Sequence, residues 1–198
     1  ILSTGLITKE ELDKTVNTIK QHTDKLILLV CTSAYPAPVS DTNLRQIQSL
    51  SQRYNVITGL SDHSRSLKVV TGAVYCASKL IEVHFTDSRK NGGPDAPFSW
   101  EPHELKTMVE AIQEAEMIMG TGNIAIKESE KENALFKRSL FAIEDIKKGD
   151  LFTSQNIRAL RPNHGLAPRF YDQIIGTQAT QELKKGDPVK SEHICFEL

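Results

Sequence analysis

Four short apolar runs, each followed by a polar loop and then a helical pattern, occupy the first 120 residues of this 198-residue chain. The runs are ILSTG (1–5), KLILLVC (25–31), NVITG (55–59) and KLIEVHF (79–85). The helical patterns are TKEELDKTVNTIKQH (8–22), TNLRQIQSLSQRY (42–54), SLKVVTGAVYCAS (66–78) and SWEPHELKTMVEAIQEAEMIMG (99–120). Strand–helix alternation repeated four times is the signature of a parallel α/β architecture. A run as uniformly apolar as KLILLVC suits a strand covered on both faces. Thr8 and Glu11 have the spacing of a capping box, in which hydroxyl and carboxylate satisfy free N–H groups of a first helical turn. Ser99 is placed to cap the last helix, with Pro102 in its first turn and Gly120 just past its end.

In such folds the loops after the strands carry the chemistry. Here they are STG, CTSAYPAP, GLSDHS and HFTDSRKNGGPD, all rich in hydroxyl, imidazole and carboxylate groups. The helix-to-strand loops, such as QHTDK and SQRYN, are bland by comparison.

The character changes after Gly120. Residues 121–134 are mostly polar and read as a linker. From Leu135 to the end the chain is strand-like and turn-rich, and it repeats itself: EDIKKGDLFTSQNI (144–157) resembles QELKKGDPVKSEHI (181–194). Each copy sets Lys-Lys-Gly-Asp in a turn, and Gly149 and Gly186 suit positions that need positive φ. The division is therefore an α/β unit over 1–120, a linker over 121–134 and a small β-rich module with pseudo-twofold symmetry over 135–198.

The formal charge of −1 and the lack of a basic block argue against nucleic acid as a partner. No apolar run approaches the length of a membrane span. Three well-separated cysteines, Cys31, Cys76 and Cys195, with no Cys-x-x-Cys, fit a reducing, cytoplasmic setting.

A single loop histidine is ordinarily polar surface. His63 and His84 differ, because each lies at or just beyond the C-terminal end of successive strands, which places both on one face. Two imidazoles with open positions suit a divalent ion that also holds water or substrate. Glu82 precedes His84 by two residues and so shares its side of a strand. A carboxylate there is either an acid/base group or a charge partner of the metal site; the alternative is a barrel-interior ion pair with an upstream Lys or Arg. The two prolines of CTSAYPAP stiffen a loop that presents Ser33 and Tyr35, or one that merely packs a tyrosine.

Taken together, ILSTG, CTSAYPAP, GLSDHS, EVHFTD with GGPD, and LRP resemble the sialic acid synthase family, in order and over nearly the whole chain. The resemblance implies the C-terminal half of a (β/α)8 TIM barrel followed by an antifreeze-like (SAF) domain. It also implies condensation of phosphoenolpyruvate (PEP) with the open-chain aldehyde of an acylated amino sugar, with release of phosphate by C–O cleavage. GGPDAPFSWEPHELKTMVEAI and LRPNHGLAPRF resemble the branch that uses 2,4-diacetamido-2,4,6-trideoxy-L-altrose to make pseudaminic acid. Other members act on N-acetylmannosamine or the legionaminic precursor. A different kind of reading makes residues 135–198 a carbohydrate-binding module on an inactive barrel.

By resemblance, His63 and His84 are ligands of a divalent metal, Mn2+ or Mg2+, and Glu82 is the catalytic glutamate. Ser3 and Ser61 match PEP contacts, and Tyr35 and Asp95 match sugar contacts. Ser33 stands at a PEP or sugar position where some members have Asn, and Val83 where a basic residue is common. Arg161 matches an arginine that enters the partner subunit's active site, which implies a domain-swapped homodimer. The chain opens mid-strand with no Met, so the other half of the barrel is expected to precede it.

Overall fold

The computed structural model describes residues 1–195 and divides into two units, Ile1–Gly122 and Asn123–Leu198. The first unit alternates β1 (Leu2–Ser3), α1 (Lys9–Lys20), β2 (Ile27–Cys31), α2 (Arg45–Tyr54), β3 (Ile57–Asp62), α3 (Leu67–Tyr75), β4 (Ile81–Val83) and α4 (Pro102–Met119). The strands form one parallel sheet in the order β1-β2-β3-β4. This is the α/β class expected from the alternation.

One face of the sheet is packed. Leu28, Val30 and Leu60 meet Leu12 and Val16 of α1, Ile47, Leu50 and Tyr54 of α2, and Val69 and Ala73 of α3 in a single apolar cluster. A second cluster sets Val70 of α3 against Trp100 and Met108, which seats α4. The helices form where their sequences cap them. Thr8 accepts from the Glu11 N–H, and Glu11 accepts from the Thr8 N–H at 2.8 Å, closing the expected capping box. Asn55 ends α2 in the left-handed conformation, φ 50°.

Two boundaries differ from the sequence expectation. GLSD is strand rather than loop: β3 runs through Asp62, because it pairs on both sides, with Cys31↔Ser61 across β2 and Ser61↔Glu82 across β4. Gly59 is what permits the close approach, since a Cβ there would lie 2.2 Å from the Leu80 carbonyl oxygen. Ser99 does not cap α4. Its hydroxyl donates to the Asp95 carbonyl at 2.7 Å, and the cap is Glu101, extended at φ −87°, ψ 163°. Pro102 dictates that choice: it disfavours helical backbone in the residue before it and sits at the first helical position itself.

The second unit is small and turn-rich, with the antiparallel pair β5 (Ser139–Ala142) and β6 (Ile157–Leu160) and a one-turn helix α5 (Tyr171–Ile174). Its core gathers Leu140, Ile146, Phe152, Ile157, Ile174, Leu183 and Val189. The repeated turns are built alike. Asp150 accepts from the Lys147 N–H at 2.9 Å and Asp187 from the Lys184 N–H at 2.8 Å. Gly149 and Gly186 both take positive φ, 89° and 99°, and Ile146 bridges Leu183 between the two copies.

Candidate functional site

Register alone decides which side chains meet. Residues paired across parallel strands point to the same face, and so do residues two apart along one strand. Ser3 is in line with Leu29 and Gly59; one step up, Cys31 is in line with Ser61 and Glu82; one step further, beyond the last paired residues, come Ser33, His63 and His84. All of them lie on the face away from the helical cluster, at or toward the C-terminal ends of the strands.

The Ser61 hydroxyl is buried and donates to Glu82 Oε1 at 2.7 Å. The Glu82 carboxylate is otherwise exposed on this open face, with a serine rather than a Lys or Arg as its partner. His63 is buried, and its Nδ1 lies 3.0 Å from the Thr32 carbonyl oxygen. A carbonyl can only accept, so in the neutral ring that contact puts the proton on Nδ1 and the lone pair on Nε2. The ring centroids of His63 and His84 are 5.1 Å apart. His84 Nδ1 is 3.5 Å from Asp95 Oδ2, so the GGPD loop brings its carboxylate to the second imidazole.

Tyr35 and Phe98 complete the cluster. Tyr35 is 4.5 Å from His63 and 6.0 Å from His84, centroid to centroid, while Phe98 is 4.9 Å from His84 and 5.0 Å from Tyr35. Ser33 sits lower, its hydroxyl 3.7 Å from Cys31 Sγ. Ser3 is exposed on the same face at β1. Arg161 belongs to the second unit and is exposed just past β6.

The donor set suits a divalent first-row ion. An imidazole whose second nitrogen is engaged by a carbonyl is the usual form of a metal-binding histidine. Among the described residues there is no group of three or more His, Cys, Asp or Glu placed to hold an ion. Two imidazoles, His63 and His84, are the side chains here that could hold such an ion. A concavity near Lys25, Ile57 and Lys79, at the opposite ends of the strands, is lined by no histidine.

Three features escaped sequence reasoning. Phe98 is buried against the histidines, and the apolar stretch APF just after the GGPD turn was its available signal. Asp62 is buried, with Oδ1 accepting from the Ser64 N–H and hydroxyl, which shapes the turn after His63. Arg65, Arg89, Glu101 and Glu104 form an ion-pair network behind the site. No local pattern announces it, because its members come from three separate segments.

A NeuB family model matches residues 1–124, and a SAF domain model matches residues 137–194. The chain belongs to the NeuB family. The resemblance to sialic acid synthases read from the motifs is thereby shown. Among curated proteins it is similar to the pseudaminic acid synthase of Campylobacter jejuni, 40% identical over 191 residues, which cover 96% of this chain and 56% of that protein. It is also similar to the N,N'-diacetyllegionaminic acid synthase of Campylobacter jejuni, 34% identical over 96% of this chain and 58% of that protein. The chain thus spans little more than half the length of these relatives. Among solved structures, a spore coat polysaccharide biosynthesis protein E from Chromobacterium violaceum shares the fold with a TM-score of 0.78. It is 22% identical, over 98% of this chain and 60% of that one. The N-acetylneuraminic acid (sialic acid) synthetase of Leptospira borgpetersenii, solved with citrate, is 34% identical. It covers 67% of this chain and 47% of its own, with a TM-score of 0.61.

Proposed function

We propose that this NeuB-family chain is part of a pseudaminic acid synthase, a transferase that condenses PEP with 2,4-diacetamido-2,4,6-trideoxy-L-altrose. The observation that carries the reading is Glu82 beside His63 and His84 on one open sheet face, in a chain 40% identical to pseudaminic acid synthases.

The reaction sets three demands. C3 of PEP forms a bond to the aldehyde carbon of the open-chain sugar. Positive charge then develops at C2, and water adds there. Finally the C2–O bond to phosphate breaks, leaving a 2-keto acid and inorganic phosphate. His63 and His84 would hold a divalent ion, Mn2+ or Mg2+, which when bound would supply Lewis-acid polarisation of the aldehyde oxygen. Glu82 meets the charge at C2 and takes the proton of the water that adds there. Ser61 fixes the carboxylate through its 2.7 Å hydrogen bond and, with Ser3 and Ser33, lines the side on which PEP lies. Tyr35 and Asp95 stand where the sugar reaches the histidines.

Arg161 is exposed beyond β6, a placement that suits a residue entering a partner's site, and the working form is a domain-swapped homodimer. No helix among the described residues is long and apolar enough to cross a membrane. The free thiols of Cys31, Cys76 and Cys195 support a cytoplasmic setting.

The metal site is tested by titrating Mn2+ into metal-free full-length protein. His63→Ala and His84→Ala are each expected to weaken binding by more than about 100-fold and to abolish turnover, since even groups outside the ligand shell are commonly worth 10–100-fold. Unchanged affinity and rate in both variants would refute the assignment.

A further inference from the structure

Behind the two histidines, one carboxylate is shared by two arginines that come from different catalytic loops. Glu104 lies in the first turn of α4. Its Oε1 accepts from Arg65 Nη2 at 2.8 Å and from Arg89 Nη2 at 3.0 Å, and its Oε2 accepts from Arg89 Nη1 and, at 2.9 Å, from the Glu101 N–H. Arg65 is two residues beyond His63. Arg89 is five beyond His84.

Each guanidinium also grips the segment that carries Phe98. Arg65 Nη1 donates to the Pro97 carbonyl and Arg89 Nη1 to the Ser99 carbonyl, both at 3.1 Å. The Trp100 N–H then donates to the His84 carbonyl at 2.8 Å, closing a circuit from the His63 loop through α4 to the backbone of His84. Arg65 holds this position with a left-handed backbone, φ 53°, unusual for a side-chain-bearing residue outside Asn and Asp. A conformation of that kind persists where the surroundings enforce it. The four side chains are partly buried, with between 19% and 29% of each exposed, so solvent screens these pairs less than it would at the open surface.

We infer that Glu104 is a positioning residue: through Arg65 and Arg89 it fixes the loops after β3 and β4 relative to each other, and with them the spacing of His63 and His84. The inference rests on the metal-site reading above, but not on the identity of the sugar. A helix cap alone needs only the contact to the Glu101 N–H. The two guanidinium contacts go beyond it, and they lead to the two histidines.

The test separates a cap from a clamp. Glu104→Gln keeps size and capping ability while removing the charge; Arg65→Met breaks the clamp and leaves the cap untouched. Mn2+ affinity is measured by calorimetry on metal-free full-length protein, beside melting temperature and rate. Both variants are expected to bind Mn2+ about tenfold more weakly, roughly 1.4 kcal/mol. The double variant should fall no further than either single one, the mark of a shared interaction. Affinity within twofold of wild type in both, additive losses in the double variant, or no Mn2+ binding by wild type would each overturn the inference. If wild type binds Mn2+ with these dependences yet releases no phosphate from PEP, the clamp stands and the synthase reading fails.

Discussion

Glu82 accepts a hydrogen bond from Ser61 and otherwise stands open on the face that carries both histidines. That arrangement lets its chemical and structural roles be separated. Glu82→Gln is expected to lower turnover by about 100-fold or more, the usual range for a positioned acid/base group. It should leave the melting temperature nearly unchanged, because the amide keeps size and an acceptor for the Ser61 hydroxyl. Ser61→Ala removes the donor that orients the carboxylate and is expected to reduce turnover by about tenfold, with little effect on Mn2+ affinity. A Ser61→Ala enzyme with normal turnover would mean that the Glu82 orientation is set elsewhere. At this scale the sequence was most informative. His63, His84 and Glu82 were legible because register is arithmetic: parallel strands and a period of two put them on one face. Phe98 and Asp62 were not, because their roles depend on loop packing that no period describes.

At the level of single elements, the strands and helices were readable by type and less so by extent. GLSD contains a glycine and an aspartate, residues that favour turns, and reads locally as a loop. Pairing on both sides of β3 overrides that preference. Gly59→Ala is therefore expected to destabilise the sheet by roughly 3 kcal/mol, since the added methyl meets the Leu80 backbone. Denaturant unfolding measures this directly, and a loss below about 1 kcal/mol would show that the strands can part locally. The start of α4 offers a pH test. The Arg89 guanidinium, followed by the Glu101 N–H and Arg65, holds the Glu104 carboxyl down at about 2, against an ordinary 4.5, despite partial burial. In the unfolded chain Glu104 binds protons more readily, so its contribution to stability is complete above about pH 4.5 and is lost as pH falls through about 2. Melting curves from pH 6 to pH 2.5 should show a steeper acid loss in the wild type than in Glu104→Gln. Parallel curves would show that the network adds nothing in solution.

At the scale of the whole molecule, the chain carries two units, Ile1–Gly122 and Asn123–Leu198. The duplicated Lys-Lys-Gly-Asp turns were readable as a repeat, and both glycines do take positive φ. A role for Arg161 came from the resemblance alone, because a contact between subunits would leave no periodic trace in one chain. If Arg161 completes the site of the partner subunit, Glu82→Gln and Arg161→Ala proteins should each be nearly inactive. After mixing and exchange, half of the dimers are hybrids with one intact site of two, and about a quarter of wild-type activity should return. Failure of the mixture to recover activity, with exchange verified, would place Arg161 in its own chain's site.

The central claim, PEP condensation with a specific amino sugar, is tested most directly by supplying PEP with 18O in its bridging C–O–P oxygen to the full-length, Mn2+-loaded protein. Phosphate and product are then analysed by mass. With 2,4-diacetamido-2,4,6-trideoxy-L-altrose present, the account predicts a nine-carbon 2-keto sugar acid and phosphate that retains the label, because the C–O bond breaks. It predicts far slower release with N-acetylmannosamine or the legionaminic precursor. Phosphate without the label, or no sugar-dependent release from any of the three, would contradict it.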